Sequence, residues 1–140
     1  MHGVTAFVAQ VPLRWTDQDS YRHLNHARAV TLLEEARIAL FFDRAAADGV
    51  GTFSSGLLVV GLGVEYKRQV AYRAHTLRVA MTVEQVRAAT FVIRYALHDG
   101  PGDDAPVAIT AHTRMAPFDL AAQRPRRLTD DEKSWLGEWA

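Results

Sequence analysis

The chain has 140 residues, 49% of them apolar, which predicts a single domain, residues 1–140, able to bury a core without crosslinks. It has no cysteine, which excludes disulfides, thiolate nucleophiles and cysteine-ligated zinc. Acidic and basic residues balance at 16 each, so no net charge attracts nucleic acid or an anionic membrane. The first residues lack the charged region and the long apolar region typical of a signal peptide, and no apolar run approaches the roughly 18 residues of a membrane span, so we expect neither element. We therefore expect a soluble, cytoplasmic protein.

A strand and a helix open the predicted elements. Residues from Val4 to Leu13 are apolar and favour a strand, with Pro12 placing it at an edge or bending it. Asn25 is a good N-cap for a helix that ends near residue 48, before Gly49. The helix carries an apolar stripe at helical spacing, formed by Val30, Leu33, Ala36, Leu40 and Phe41.

Four strands follow the helix. The apolar run from Leu57 to Val64 predicts a buried strand, in which Gly61 and Gly63 would permit close approach to the backbone. Alternating apolar residues predict strands over His75 to Val86, Thr90 to His98 and Pro106 to Phe118. This order indicates an α+β layer in which an antiparallel meander wraps one helix. A second copy commonly covers the exposed edges of such a sheet, so we expect an oligomer.

The C-terminal segment predicts one more short helix, over about residues 130–139. Thr129 and Glu132 have the spacing of a capping box, which marks the start of a helix. Trp135 and Trp139 need an apolar partner surface, and packing on the sheet of the same subunit is the simplest one.

The segment between the first strand and the long helix concentrates polar groups, and Asp19 is its leading catalytic candidate. Asp19 lies just upstream of the helix start, whose free N–H groups can hold an anionic oxygen. A carboxylate beside such groups can attack a carbonyl or activate water, and acyl transfer uses both parts. The chemistry of the residues alone leaves an equal alternative, in which Asp17, Asp19 and Asn25 only form the turn and cap the helix.

Two further groups of residues have alternative interpretations. His23 and His26 have ligand spacing, but no third ligand is evident, so we expect no metal. Lys67, Arg68 and Arg73 belong to a modest basic excess that suits phosphate binding, although the solvated face of a sheet explains it as well.

These residues together resemble the hotdog-fold acyl-CoA thioesterases of the 4-hydroxybenzoyl-CoA thioesterase type. The resemblance rests on Asp19-Ser20-Tyr21-Arg22-His23-Leu24-Asn25-His26, on Leu33-Glu34-Glu35-Ala36-Arg37 and on Val64-Glu65-Tyr66-Lys67-Arg68-Gln69-Val70. It covers roughly residues 5–120 and implies a hotdog fold, with an antiparallel sheet around one long central helix.

The resemblance implies hydrolysis of acyl-CoA without a cofactor or a metal, in a dimer or a homotetramer with sites at subunit interfaces. Asp19 would be the nucleophile or general base, and the backbone N–H of His26 would polarise the thioester carbonyl. His23 and Asn25 would order the loop and the attacking water. Some of Lys67, Arg68 and Arg73 would meet the CoA phosphates.

The sequence departs from the family pattern at two positions and leaves two other functions open. His26 replaces a usual asparagine, and Ala29 replaces a common tyrosine, which could widen the acyl pocket. A non-catalytic hotdog protein that binds acyl or aryl ligands remains an alternative. An acyl-CoA hydratase or dehydratase is another, with Asp19 and His23 as its acid/base pair.

Overall fold

An antiparallel sheet forms the body of the computed structural model, which describes residues 5–73 and 75–140. Val4, the first residue of the predicted first strand, lies outside them. Five strands pair in the order β1-β3-β4-β5-β2, and a short sixth strand pairs with β5. Their bounds are β1 Phe7–Pro12, β2 Leu57–Tyr66, β3 Thr76–Glu84, β4 Phe91–His98, β5 Val107–Asp119 and β6 Arg124–Pro125.

One long helical segment follows β1. Helix α1, His26–Ile38, continues through a π-helical turn, Ala39–Arg44, into the short helix α2, Ala45–Ala47. The path ends at Asp48, and Gly49 adopts a positive φ of 83°, so the predicted end near residue 48 is confirmed. The π turn was not predicted; within it the adjacent Leu40 and Phe41 are both fully buried.

The core lies between α1 and the inner face of the sheet. Alternation in the three central strands is confirmed, because the inward-facing residues of β3, β4 and β5 are buried almost completely. From the helix, the core takes Ala29, Leu32, Leu33, Ala36, Leu40 and Phe41. Of the predicted stripe, only Val30 is half-buried rather than buried. The predicted hotdog fold, a curled sheet around a long helix, is confirmed.

The position of β2 corrects two predictions. β2 pairs with β5 and not with β3, so only β3, β4 and β5 form a meander. β2 is also an edge strand rather than a buried one, with Leu58, Val59, Val60 and Leu62 between 41% and 56% exposed. An apolar run predicts that its side chains are buried, but it does not indicate whether the same chain or a second one buries them.

One glycine in β2 permits the close approach that the sequence predicted. The imidazole ring of His112 lies against the backbone of Gly63, where a Cβ atom would clash with Cε1 of that ring. A larger residue at position 63 would displace this ring from the outer face of β5.

A short polar chain crosses the otherwise apolar core and ties α1 to the sheet. Arg37 Nη1 donates to the hydroxyl of Tyr95 at 3.2 Å, and that hydroxyl lies 2.7 Å from Thr113 Oγ1. Burial raises the pKa of the Tyr95 hydroxyl by more than Arg37 and Thr113 lower it. Tyr95 therefore stays neutral and bridges the helix to β4 and β5.

Helix α3, Asp130–Gly137, closes one end of the core. Its predicted capping box is present: Thr129 Oγ1 accepts from Glu132 N, and Glu132 Oε1 accepts from Thr129 N. Trp135 packs against Phe41 and Phe53, with ring centroids 5.7 and 5.6 Å away. Both C-terminal tryptophans are buried in their own subunit, but only Trp139 packs on the sheet as predicted, against Phe7 of β1, with ring centroids 5.6 Å apart.

A buried ion pair holds the start of α3. Glu132 is fully buried and accepts from both terminal nitrogens of Arg126, each at 2.8 Å, and from Thr52 Oγ1 at 2.8 Å. Burial raises the pKa of Glu132, but the hydrogen bonds from Arg126, Thr129 and Thr52 outweigh it and hold the pKa below its ordinary value.

Candidate active site

The loop between β1 and α1 is built around Asp17, which is a structural residue. Its carboxylate is fully buried and accepts from the backbone N–H, Nε and Nη2 of Arg14, at 2.9, 3.1 and 2.9 Å. Its backbone carbonyl accepts from Asn25 N at 2.8 Å, which fixes where α1 begins. Burial raises the pKa of Asp17, but the hydrogen bonds from Arg14 outweigh it and lower the pKa overall.

Asp19 is held differently, by backbone amides at one oxygen only. Its Oδ1 accepts from the N–H groups of Tyr21 and His23, at 2.8 and 3.1 Å. Its N–H donates to the carbonyl of His23 at 2.7 Å, which closes the turn, and Arg22 inside the turn has a positive φ of 64°. Oδ2 accepts no hydrogen bond from the part of the chain that is described. One carboxylate oxygen is therefore anchored while the other remains available for chemistry.

The start of α1 offers a free donor. Asn25 is the N-cap, as predicted, and its Oδ1 accepts from Ala27 N at 2.8 Å and from Arg28 N at 3.3 Å. His26, the first helical residue, has a backbone N–H with no acceptor within residues 5–73 and 75–140. The cap thus satisfies the second and third amides of the helix and leaves the first one for a ligand.

These groups open onto one cleft. Asp19, His23 and His26 line a cavity of about 430 Å³ together with Leu24, Tyr66, Lys67, Arg68, Gln69, Val70 and Ile109. Asn25 does not line it; its side chain caps α1. The structure therefore brings together three of the four predicted catalytic residues and two of the three predicted phosphate-binding residues.

His23 is held in the cleft by its backbone, and its ring carries a buried nitrogen. Its segment is anchored to the chain after β2 by a bridge to Ala71 and by the hydrogen bond from Leu24 N to Val70 O, at 2.7 Å. The ring nitrogen Nδ1 is buried and has no hydrogen-bond partner among the described residues. A buried polar atom of this kind is suited to bind a polar group that enters the cleft.

Tyr66 is a cleft residue to which the sequence assigned no role. Its hydroxyl donates to the carbonyl of His26 at 2.7 Å, and its ring meets the His26 ring edge to face at 6.4 Å. This contact ties the end of β2 to the start of α1. In the sequence, the feature that could have indicated a role for Tyr66 is its position directly before Lys67 and Arg68, at the end of an apolar strand.

Arg73 and Ala29 lie outside the cleft, in contrast to Lys67 and Arg68. Arg73 pairs with Asp99 at 2.6 Å and does not line the cavity. Ala29 is fully buried in the core and does not line the cleft, so the wider acyl pocket stays a prediction. Lys67 lies 3.5 Å from Glu65, and Arg68 has no carboxylate within 4.0 Å in the described ranges.

No three histidine or acidic side chains of the described residues lie close enough together to hold a metal ion. The expectation of a metal-free site remains a prediction. Within the same residues no helix is long and apolar enough to cross a membrane.

The fold and the cleft together define an α+β hotdog protein with a carboxylate beside a helix N-terminus. Residues 13–136 match the thioesterase-like superfamily, and the chain belongs to this family. No curated protein matches the chain significantly.

Solved structures similar to the chain share its fold. A proposed thioesterase from Pseudomonas aeruginosa, PA2801, is 24% identical with a TM-score of 0.78, over 92% of this chain and 96% of that one. A predicted thioesterase from Bacillus stearothermophilus is 18% identical with a TM-score of 0.81, over 97% of each chain. A thioesterase from Thermus thermophilus, complexed with coenzyme A and Zn, is 19% identical with a TM-score of 0.74, over 97% of this chain and 95% of that one.

Proposed function

We propose that the protein is an acyl-CoA thioesterase of the 4-hydroxybenzoyl-CoA thioesterase type, which hydrolyses a thioester to a free acid and CoA. The observation that supports this proposal most is the shared cleft of Asp19 and His26. It presents an anchored carboxylate with one unoccupied oxygen and a free helix N-terminal amide. Thioester hydrolysis needs a base or nucleophile on one side of the carbonyl and a donor to its oxygen on the other.

The proposed reaction uses the two groups in sequence. The thioester carbonyl oxygen accepts from the N–H of His26, and the helix dipole stabilises the negative charge that develops there. Asp19 Oδ2 removes a proton from a water molecule as the water oxygen bonds to the carbonyl carbon. The carbon–sulfur bond then breaks, and the thiolate takes the proton from Asp19. If Asp19 Oδ2 instead attacks the carbonyl carbon directly, the carbon–sulfur bond breaks, the thiolate leaves and a mixed anhydride forms. Water then opens the anhydride, which releases the acid and regenerates the Asp19 carboxylate, and the proton that the water loses goes to the thiolate.

The neighbouring residues position these groups. Asn25 orders the first turn of α1 by capping it, so that the amide of His26 points out of the helix end. His23 holds Asp19 through its backbone N–H, and its buried Nδ1 is suited to order the attacking water.

We further propose that Lys67 and Arg68 meet phosphates of CoA. Both line the cleft, and Arg68 has no competing carboxylate nearby in the described residues. Arg73 is a weaker candidate because Asp99 already neutralises it. One of the similar structures is itself a thioesterase complexed with coenzyme A.

A second copy of the chain is proposed to cover the free edge of β2, in a dimer or in a tetramer built from dimers. In the described residues β2 pairs on one side only, and its exposed apolar side chains need cover. Antiparallel pairing of two copies places the start of β2 in one beside its end in the other.

Such pairing would complete the site. An apolar cleft of about 290 Å³ lies at the start of β2, lined by Leu58, Val59, Ile38 and Phe42 among others. The catalytic cleft lies at the other end of the strand, at Tyr66. The apolar cleft of one copy would thus stand beside the catalytic cleft of the other, where it suits an acyl group.

A thiol-release screen across short, long and aromatic acyl-CoAs tests the proposal. Free CoA should appear with at least one class. Hydration of enoyl-CoA without thiol release would instead identify a hydratase. A ligand-dependent rise in melting temperature without either reaction would identify a binding protein.

A further inference from the structure

Trp15 is the most exposed tryptophan of the chain, and no step of the proposed reaction uses it. Its side chain lies on the 3-10 turn Trp15–Asp17 and is 70% exposed, whereas Trp135 and Trp139 are buried. The ring of Tyr72 meets it edge to face, with centroids 5.7 Å apart and planes at 84°. In a perpendicular pair of this kind the tyrosine ring covers at most one face of the indole, so the exposed indole offers its other face to a flat ligand.

The surface beside Trp15 forms an open bowl of about 590 Å³. Its lining residues are Trp15, Thr16, Gln18, Asp19, Ser20 and Arg22. Asp19 also lines the catalytic cleft, so the bowl and the cleft adjoin at this residue. A ligand that reaches the cleft with one end can occupy the bowl with the other.

Arg22 gives the bowl a positive charge. It is exposed, and no carboxylate of the described residues lies within 4.0 Å of it. Its carbonyl accepts from Tyr72 N at 3.2 Å, so the segment that supports Trp15 also fixes Arg22. A free guanidinium beside an open indole face matches a nucleotide, which combines a flat base with phosphates.

We propose that this bowl binds the adenine nucleotide end of CoA, with the base stacked on Trp15 and a phosphate on Arg22. The inference rests on the proposed thioesterase function and makes CoA, rather than an acyl carrier protein, the carrier of the substrate. CoA carries a diphosphate and a separate ribose phosphate. Arg22 in the bowl and Lys67 with Arg68 in the cleft therefore serve different phosphates of one molecule.

Calorimetric titration of CoA into the parent protein, Trp15→Ala and Trp15→Phe tests the inference. Loss of one base–aromatic stack should raise the Kd for CoA by about tenfold in Trp15→Ala, while Trp15→Phe stays within about threefold. Binding of pantetheine, which lacks the nucleotide, should be equal in all three. CoA should also quench tryptophan emission in the parent and not in Trp15→Phe.

Kinetics give a second readout. With acyl-CoA, Trp15→Ala should raise KM by a similar factor and leave kcat unchanged, whereas its KM for the matching acyl-pantetheine should equal the parental value. Equal CoA binding by parent and Trp15→Ala would overturn the inference, as would parent protein that does not bind CoA. The inference would also be overturned if Trp15→Ala lost affinity for pantetheine as much as for CoA, or if it lost affinity only for an acyl carrier protein. If CoA binding depends on Trp15 but no thioester is cleaved, the proposed hydrolysis fails and the nucleotide site stands.

Discussion

The backbone amide of His26 can be removed without removing the helix that presents it. In His26→Pro the proline occupies the first helical position, where it is well tolerated because no intrahelical hydrogen bond uses that N–H. Asn25 has φ −64° and ψ 135°, which is the conformation that a residue before proline prefers. The structure therefore predicts a folded variant that lacks only the proposed donor to the carbonyl oxygen.

The expected loss of activity follows from that donor. Removing one preorganised donor to a developing oxyanion costs about 10² to 10³ in kcat. The matched control is His26→Ala, which also loses the imidazole ring and its contact with Tyr66 but keeps the N–H. Thiol release from the preferred acyl-CoA should fall at least about a hundredfold from His26→Ala to His26→Pro. Equal kcat values for the two variants, with similar melting temperatures, would refute the role of this amide.

Two further predictions concern stability and assembly. Glu132→Ala leaves Arg126 without its carboxylate and should cost about 3–5 kcal/mol in unfolding free energy, whereas the exposed Asp131→Ala on the same helix should cost about 0.5 kcal/mol or less. Folding lowers the pKa of Glu132, so the ionised side chain stabilises the folded state above the ordinary pKa of 4.5, and this stabilisation is lost as the pH falls through the depressed pKa. The difference in unfolding free energy between the parent and Glu132→Ala should therefore become smaller in acid. An unchanged difference in chemical denaturation from pH 7 to 3 would contradict this. Leu62→Glu on the free edge of β2 should shift the protein from oligomer towards monomer in light scattering. Val8→Glu, on an exposed valine of β1 at the opposite edge of the sheet, should not. An unchanged mass for Leu62→Glu would argue against assembly through β2.

The parts of the fold that follow from local periodicity were predictable. Alternating residues identified β3, β4 and β5 because a strand with one buried face requires a period of two. The cap at Asn25 was predictable because its side chain satisfies amides two and three residues ahead. The pairing of β2 with β5 was not, since hydrogen bonds between strands depend on backbone partners that an apolar pattern does not encode.

In the candidate site, the sequence located the loop but did not separate the roles of its carboxylates. Asp17 and Asp19 are two residues apart and chemically identical, yet they are held differently. Asp17 is buried and Arg14 donates to both of its carboxylate oxygens, whereas backbone amides donate only to Oδ1 of Asp19. The contact of Tyr66 with His26 spans 40 residues, and the pairing of Arg73 with Asp99 spans 26. Contacts of this range arise from the folded sheet and leave no short motif in the sequence.

Asp19→Asn tests the central claim most directly. Asn retains an Oδ1 that can accept from Tyr21 and His23, so the turn should survive, while its amide nitrogen can neither attack a carbonyl nor take a proton from water. Asp103→Asn, an exposed change in the turn before β5, is the matched control. We predict that thiol release from acyl-CoA falls by at least about 10² in Asp19→Asn and stays at the parental rate in Asp103→Asn. A folded Asp19→Asn protein with near-parental turnover would contradict the account.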